Sequence, residues 1–228
     1  MPMKKWTSVF LTLFLLFGLS ACSQSTEKAE DTKEQERRKE NGREQVSADA
    51  PKVYMTTDIS PQGLQAVYEA LGAKPAGKVA VKLSTGENGS NYLRPELIGD
   101  LVQGLDAAIV ECNTAYGGQR ASTAMHYQVA EDHGYTEIAE VDIMDEEGSM
   151  VLPVTGGKNL TENYVGSHFA NYDYYVVLSH FKGHAMAGYG GAVKNISIGI
   201  ASSEGKSHIH TAGQGGSMWT ADQDSFLE

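Results

Sequence analysis

Cysteine is almost absent from this chain: two residues in 228, Cys22 and Cys112. No four-cysteine zinc or iron–sulfur pattern can be assembled from two thiols, so no iron–sulfur cluster is expected. Aromatic residues make up only 8%, with two tryptophans. Positive charge is scarce as well, with 18 Lys and Arg against 29 Asp and Glu, a formal net charge of −11. That sign argues against nucleic acid as a partner and against a surface held on anionic lipid by charge. No internal repeat is visible.

The one long apolar run lies at the start. Lys4 and Lys5 form a basic head, and Trp6 to Gly18 an apolar stretch too short for an ordinary membrane-spanning helix. Leu19-Ser20-Ala21-Cys22 then resembles a bacterial lipobox. The expectation is a lipoprotein signal over 1–22 and a lipid on Cys22. The mature chain would then be anchored at the extracytoplasmic face of the cell membrane. Residues 23–50 hold eight acidic and six basic side chains and no aromatic one. They cannot bury enough apolar surface to offset their ordering entropy, and read as a solvated, disordered linker. Residues 51–228 are long enough for one domain with a real core, and carry the whole net charge. Once Cys22 is lipidated, Cys112 has no partner for an intramolecular disulfide.

Within 51–228, apolar runs alternate with helical periodicity. Lys52–Thr57 (KVYMTT) reads as a short strand. Ser60-Pro61 opens a helix running to Leu71 and ending at Gly72. Lys78–Leu83 (KVAVKL) is a second strand, and Pro95 starts a helix with Leu97, Ile98, Leu101, Val102 and Leu105 at helical spacing. Ala107–Cys112 is a third strand, followed by a helix from about Ala121 to His133. A strand near Glu137–Ile143 leads into an acidic turn (Asp145-Glu146-Glu147) and an irregular stretch over 148–168. Tyr172–Leu178 is the most apolar strand. This alternation predicts an α/β fold, a mainly parallel sheet with helices on both faces. Ligands of such sheets bind beyond the carboxyl ends of the strands, where the polar loops 84–93, 113–120 and 179–191 would converge.

The last of these loops opens the most informative stretch. Ser179–Gly213 contains four of the seven histidines (His180, His184, His208, His210), three lysines and seven glycines. Imidazole binds metals and moves protons near neutral pH, glycine lets backbone approach a ligand, and lysine offers charge or an amine. His208-Ile209-His210 puts two imidazoles on one side of an extended backbone, a spacing that can hold metal. Gly188, Gly190 and Gly191, followed by Lys194, suggest a turn feeding a helix N-terminus that could hold an anion. Cys112 reads as a small buried hydrophobe. His126 and His133 read as structural, the acidic turn as solvated, and Arg94 and Arg120 as possible anion contacts.

SHFKGHAMAGYGGAVKNISIG, with Glu-Cys-Asn-Thr (111–114) and Tyr-Leu-Arg-Pro (92–95) upstream, resembles bacterial and archaeal proteins grouped as domain of unknown function 362. That resemblance covers 51–220. Family members often carry a ferredoxin-like module after the histidine segment; this chain has no cysteines there. Members without that module continue past the equivalent of Glu228, which implies a C-terminally truncated domain. His184, Lys194 and His210 are also similar to a segment of the nickel-pincer lactate racemases. The resemblance implies His184 as acid/base, Lys194 as cofactor anchor and His210 as metal ligand. No histidine stands in Asn113–Gln119, where that family has a second base. Together these lead to an expected metal- or cofactor-binding site. His184 would be catalytic, Lys194 with Gly188, Gly190 and Gly191 would hold the cofactor, and His210 and His180 would bind a divalent transition metal. The alternatives are a non-enzymatic binder of a small anion or partner, and an inactive truncated remnant.

Overall fold

The computed structural model describes residues 50–184, 188–215 and 217–219. The chain divides into two compact units, Met1–Val53 and Tyr54–Glu228. The expected signal over 1–22, the cysteine expected to carry a lipid, Cys22, and nearly all of the linker 23–50 lie outside the described residues. In the first unit, residues 51–53 form neither helix nor strand. No helix among the described residues is long and apolar enough to cross a membrane.

The second unit is the expected α/β fold. Its element order begins with α1 (Pro61–Ala70), β1 (Val79–Lys82), α2 (Pro95–Gly104), β2 (Ala108–Glu111), α3 (Thr123–Asp132) and β3 (Val141–Ile143). There follow β4 (Ser149–Pro153), β5 (Glu162–Gly166), β6 (Tyr174–Val177), β7 (Lys182–His184), β8 (Gly188–Gly190), α4 (Ala192–Ile196) and α5 (Ser203–His210). The main sheet is ordered β3-β2-β1-β6, and every pairing in it is parallel. Helix starts follow capping chemistry. Ser60 Oγ accepts from the Gly63 amide ahead of Pro61, and Ser202 Oγ accepts from Gly205 ahead of α5.

Successive side chains of β1 and β2 point to opposite faces, and both faces are covered. Val79, Val81, Leu83 and Ile109 pack with Ile98, Val102, Ala130 and Tyr135. Ala80, Ala108, Val110 and Cys112 pack with Met144, Val165, Tyr172 and Ile200. Both strands are therefore buried throughout, as parallel strands require. Lys82, at the end of β1, is fully buried despite its charge.

Four local expectations are corrected. Residues 52–57 form no strand: Val53 and Met55 are 91% and 87% exposed, and an isolated extended segment has no ladder to satisfy it. The stretch 148–168 is regular, since β4 and β5 form an antiparallel ladder from Ser149↔Gly166 to Pro153↔Glu162. The region near Glu137 begins with a 3₁₀ turn, Tyr135–Glu137, and the strand starts only at Val141. Asp145 in the acidic turn is not merely solvated, because its carboxylate accepts from the Asn113 and Ser203 amides.

Helix α5 sits tightly on β5 because Gly205 has no side chain: a Cβ there would lie 1.9 Å from the Tyr164 carbonyl oxygen. Backbone cannot yield locally, so Gly205→Ala should destabilise the fold by about 1–3 kcal/mol. Gly104→Ala, where nothing lies within 4 Å, should be neutral or stabilising by up to about 1 kcal/mol. Urea unfolding of both variants checks the contrast.

Candidate functional site

Because β1, β2 and β6 run in parallel, their carboxyl ends and the loops that follow open on one side of the sheet. All three polar loops meet there around a cavity of about 230 Å³. Ser84 comes from the first loop, Thr114, Tyr116 and Arg120 from the second, and Ser179, His180, Lys182 and His184 from the third and β7. Lys194 and Asn195 of α4 and Lys206 and His210 of α5 close it.

The floor is an ion-pair network. Lys82 Nζ donates to Glu111 Oε1 at 2.7 Å, to Asn195 Oδ1 at 2.8 Å and to the Leu83 carbonyl, so all three ammonium hydrogens are used. Glu111 Oε2 accepts from Arg120 at 3.3 Å, and Arg120 Nε also donates to Glu87 Oε1 at 2.8 Å. Burial alone would raise the Glu111 carboxyl. Lys82 and then Arg120 outweigh it and hold the group down to about 2. Asn195 Nδ2 donates to Ser179 Oγ at 3.0 Å and to the Leu178 carbonyl at 3.1 Å, tying α4 to the end of β6. Gly199 makes room for this junction: a Cβ there would lie 3.1 Å from both Lys82 Nζ and Asn195 Oδ1.

Two histidines outside the cavity brace its rim. His133 Nδ1 donates to the Thr85 carbonyl at 2.8 Å, and its ring stacks on Tyr92. His126 Nδ1 donates to Asn113 Oδ1 at 3.3 Å, and its Nε2 takes the Thr85 hydroxyl at 2.8 Å. Burial lowers His126 to about 4, so it is neutral and structural, as its place on a helix suggested.

Of the residues singled out from the sequence, His180, His184, Lys194, His210, Gly190 and Gly191 line the cavity together. Gly188 is not among the lining residues. Gly190 lies between two of the others, since a Cβ on it would be 3.5 Å from Lys194 Cδ and 3.7 Å from His184 Cβ. His184 is lowered by burial, then by Lys194, Lys182 and His210. Lys194 is lowered by burial, then by Lys182 and Lys206. His210 is also lowered, chiefly by burial, and its Nδ1 donates to the Lys206 carbonyl at 2.6 Å. That bond fixes the ring's orientation and, in the neutral ring, places the proton on Nδ1.

One expectation about this segment fails. His208 and His210 do not share a face of an extended chain. They lie on α5, where residues two apart diverge, and His208 packs edge-on to Tyr164 while His210 reaches the cavity. The glycines do lead into a helix, since Gly191 caps the start of α4. Gly188–Gly190 pairs with Lys182–His184 as a small antiparallel ribbon, and α4 is only five residues long. Cys112 is buried with its thiol pushed up to about 12, a small hydrophobe as expected. Arg94 lies over the Tyr92 ring at 4.2 Å, whereas Arg120 belongs to the site.

The sequence reading missed Lys82, Glu111, Asn195 and Lys206. Lys206 is buried on α5, donates to the Ala201 carbonyl, and has its ammonium lowered by burial. For the first two the sequence held only an ambiguous cue, a charged residue at the end of each of two otherwise apolar strands.

Acid should unfold this unit in two stages. His126 is held neutral in the fold, so the unfolded state takes up its proton first, and stability falls from about pH 6.5 to 4. Glu111, depressed to about 2, adds stability that is present above the ordinary carboxylate range and is lost as pH falls through about 4.5 to 2. Glu111→Gln leaves Lys82 buried without its counter-charge and should cost about 3–5 kcal/mol at neutral pH. Urea midpoints measured from pH 7 to 3 for wild type, His126→Gln and Glu111→Gln check both stages: each variant should flatten its own window.

The family described as a domain of unknown function (DUF362) matches residues 79–227, which takes in β1 and the whole of the cavity lining. No curated protein and no solved structure matches the chain. On that match, which spans well over half of its length, the chain belongs to the DUF362 family.

Proposed function

We propose that the cavity binds a small anionic ligand carrying a phosphate or carboxylate group. One observation carries this reading. Lys82, Lys182, Lys194, Lys206 and Arg120 line one small cavity with three imidazoles, while Glu111 is the sole carboxylate among its described lining residues. Glu111 is already engaged by Lys82 and Arg120, so Lys182 and Lys194 keep an excess of positive charge facing the space. Burial first, and neighbouring cations after it, lower Lys194 and His184, so like charges lie close together here. A bound anion relieves that repulsion, so binding and the protonation of these groups reinforce each other.

A second reading rests on His184 and His210. Each lies in the same cavity, and burial keeps both rings toward the neutral form that binds metal. With a divalent transition metal there, His180 would be the nearest further imidazole in sequence. Lys194 would hold the anionic part of a cofactor, and His184 would move a proton.

The address belongs to the proposal as well: a lipoprotein signal over 1–22, a lipid on Cys22, and a charged linker that keeps the domain off the extracytoplasmic face of the membrane. Cys22→Ser should move the protein from the membrane fraction to the soluble one and abolish labelling by a palmitate analogue. Retention of both would end that part of the reading.

Thermal melting in phosphate or citrate against chloride at matched ionic strength tests the ligand. Wild type should melt higher in the polyvalent anion, and Lys194→Gln should lose tenfold or more in apparent affinity, about 1.4 kcal/mol. An equal shift in both proteins, or none in wild type, sinks the anion reading. A shift seen only with added metal, and lost in His210→Ala, would favour the second.

A further inference from the structure

Outside the cavity, Asp142 on β3, Glu146 in the turn after it and His168 in the 3₁₀ turn Ser167–Asn171 converge. Each offers one ligand atom, and the three atoms lie within 4.8 Å of one another. None of the three lines the cavity. The geometry points to a second site, for a borderline divalent transition ion of the Zn²⁺ class, held by Asp142, Glu146 and His168.

Four features support it. His168 Nδ1 and Asp142 Oδ1 are 2.8 Å apart, about half an ångström inside the roughly 3.4 Å that separates two ligands about 2.1 Å from one tetrahedral ion. Little movement is needed for both to face a metal, which would replace the proton they now share. Second, each carboxylate is oriented from outside the trio: Tyr172 donates to Asp142 Oδ2 at 2.7 Å, and Tyr127 to Glu146 Oε2 at 3.1 Å. These phenols hold the two carboxylates in place, in the way that outer hydrogen bonds orient metal ligands. Third, the two halves of the site are fastened together, because the His168 amide donates to the Met144 carbonyl at 3.0 Å. Fourth, Glu147 Oε2 lies 3.5 Å from His168 Nε2, which adds negative charge beside the site.

The donor set selects the ion. An imidazole with two carboxylates suits zinc and its neighbours better than magnesium or calcium, which prefer oxygen alone. Two carboxylates balance a divalent charge, and three protein ligands leave positions for water. Such a half-exposed site should bind in the micromolar range rather than as a closed structural centre.

Titration of the full chain with zinc chloride, followed by calorimetry, tests this, with cobalt absorption to report a nitrogen ligand. The expected result is one ion whose affinity falls tenfold or more in His168→Ala and in Glu146→Gln, and is unchanged in the His184→Ala/His210→Ala double variant. Glu146 is exposed, so Glu146→Gln decides the matter even if His168→Ala folds poorly. Absence of zinc binding, or binding that Glu146→Gln leaves unchanged, overturns the assignment. Loss only in the double variant would move the metal to the cavity.

Discussion

The structure turns on one buried ion pair, Lys82 with Glu111. Both side chains are essentially without solvent, at 0% and 4% exposure. Removing two charges from water costs several kcal/mol per ion, and the pair recovers that only if every remaining donor and acceptor is satisfied. Here they are: Lys82 saturates its three hydrogens, and Glu111 also accepts from Arg120 and from the Cys112 and Thr85 amides. The requirement reaches far along the chain. It fixes the register of β1 beside β2, brings Asn195 from more than a hundred residues away, and excludes a side chain at Gly199.

That network also shapes the candidate site. If Glu111 balances Lys82 and shares Arg120, the next cations inward have no second carboxylate to meet among the described lining residues. Hydrophobic side chains could close this end of the sheet at lower cost in desolvation. The chain instead keeps Lys182, Lys194 and Lys206 around one small space with three histidines. In the proposed reading, a bound anion would relieve the repulsion among them. Lys194 and His184 would respond most to that change, since burial and then these neighbours disfavour their charge.

The fold was largely legible because β1, β2 and β6 differ so clearly in period from the helices between them. The candidate site was legible in composition and partly in place: His184, Lys194 and His210 do share a cavity. What periodicity could not show was conformation where local and tertiary preferences compete. His208-Ile209-His210 is short enough to fit strand or helix, and the Ser202 cap with Gly205 against Tyr164 decides for helix. The 149–166 ladder was hidden because its strands are only half-buried and are joined by a loop longer than a tight turn. Lys82 and Glu111 were hidden for the opposite reason. A charge at the end of an apolar run reads as the place where the strand meets water, and only the partner from another strand reveals it as buried.

The acidic balance of the chain and the basic cavity are consistent once distance is considered. A net charge of −11 repels anions at long range, but at physiological salt that field decays over about 8 Å. Within the cavity the nearest charges dominate, and in a low-dielectric pocket each is worth more than on the surface. Selection for an anion would therefore occur at contact rather than during approach, which makes geometry around Lys182 and Lys194 more important than overall attraction. The same reasoning separates the two proposed sites. At the proposed trio Asp142, Glu146 and His168, two carboxylates and the chain's net negative charge would act together on a cation. The cavity instead works against the surface, and so depends on the buried pair at its floor to hold its cations in place.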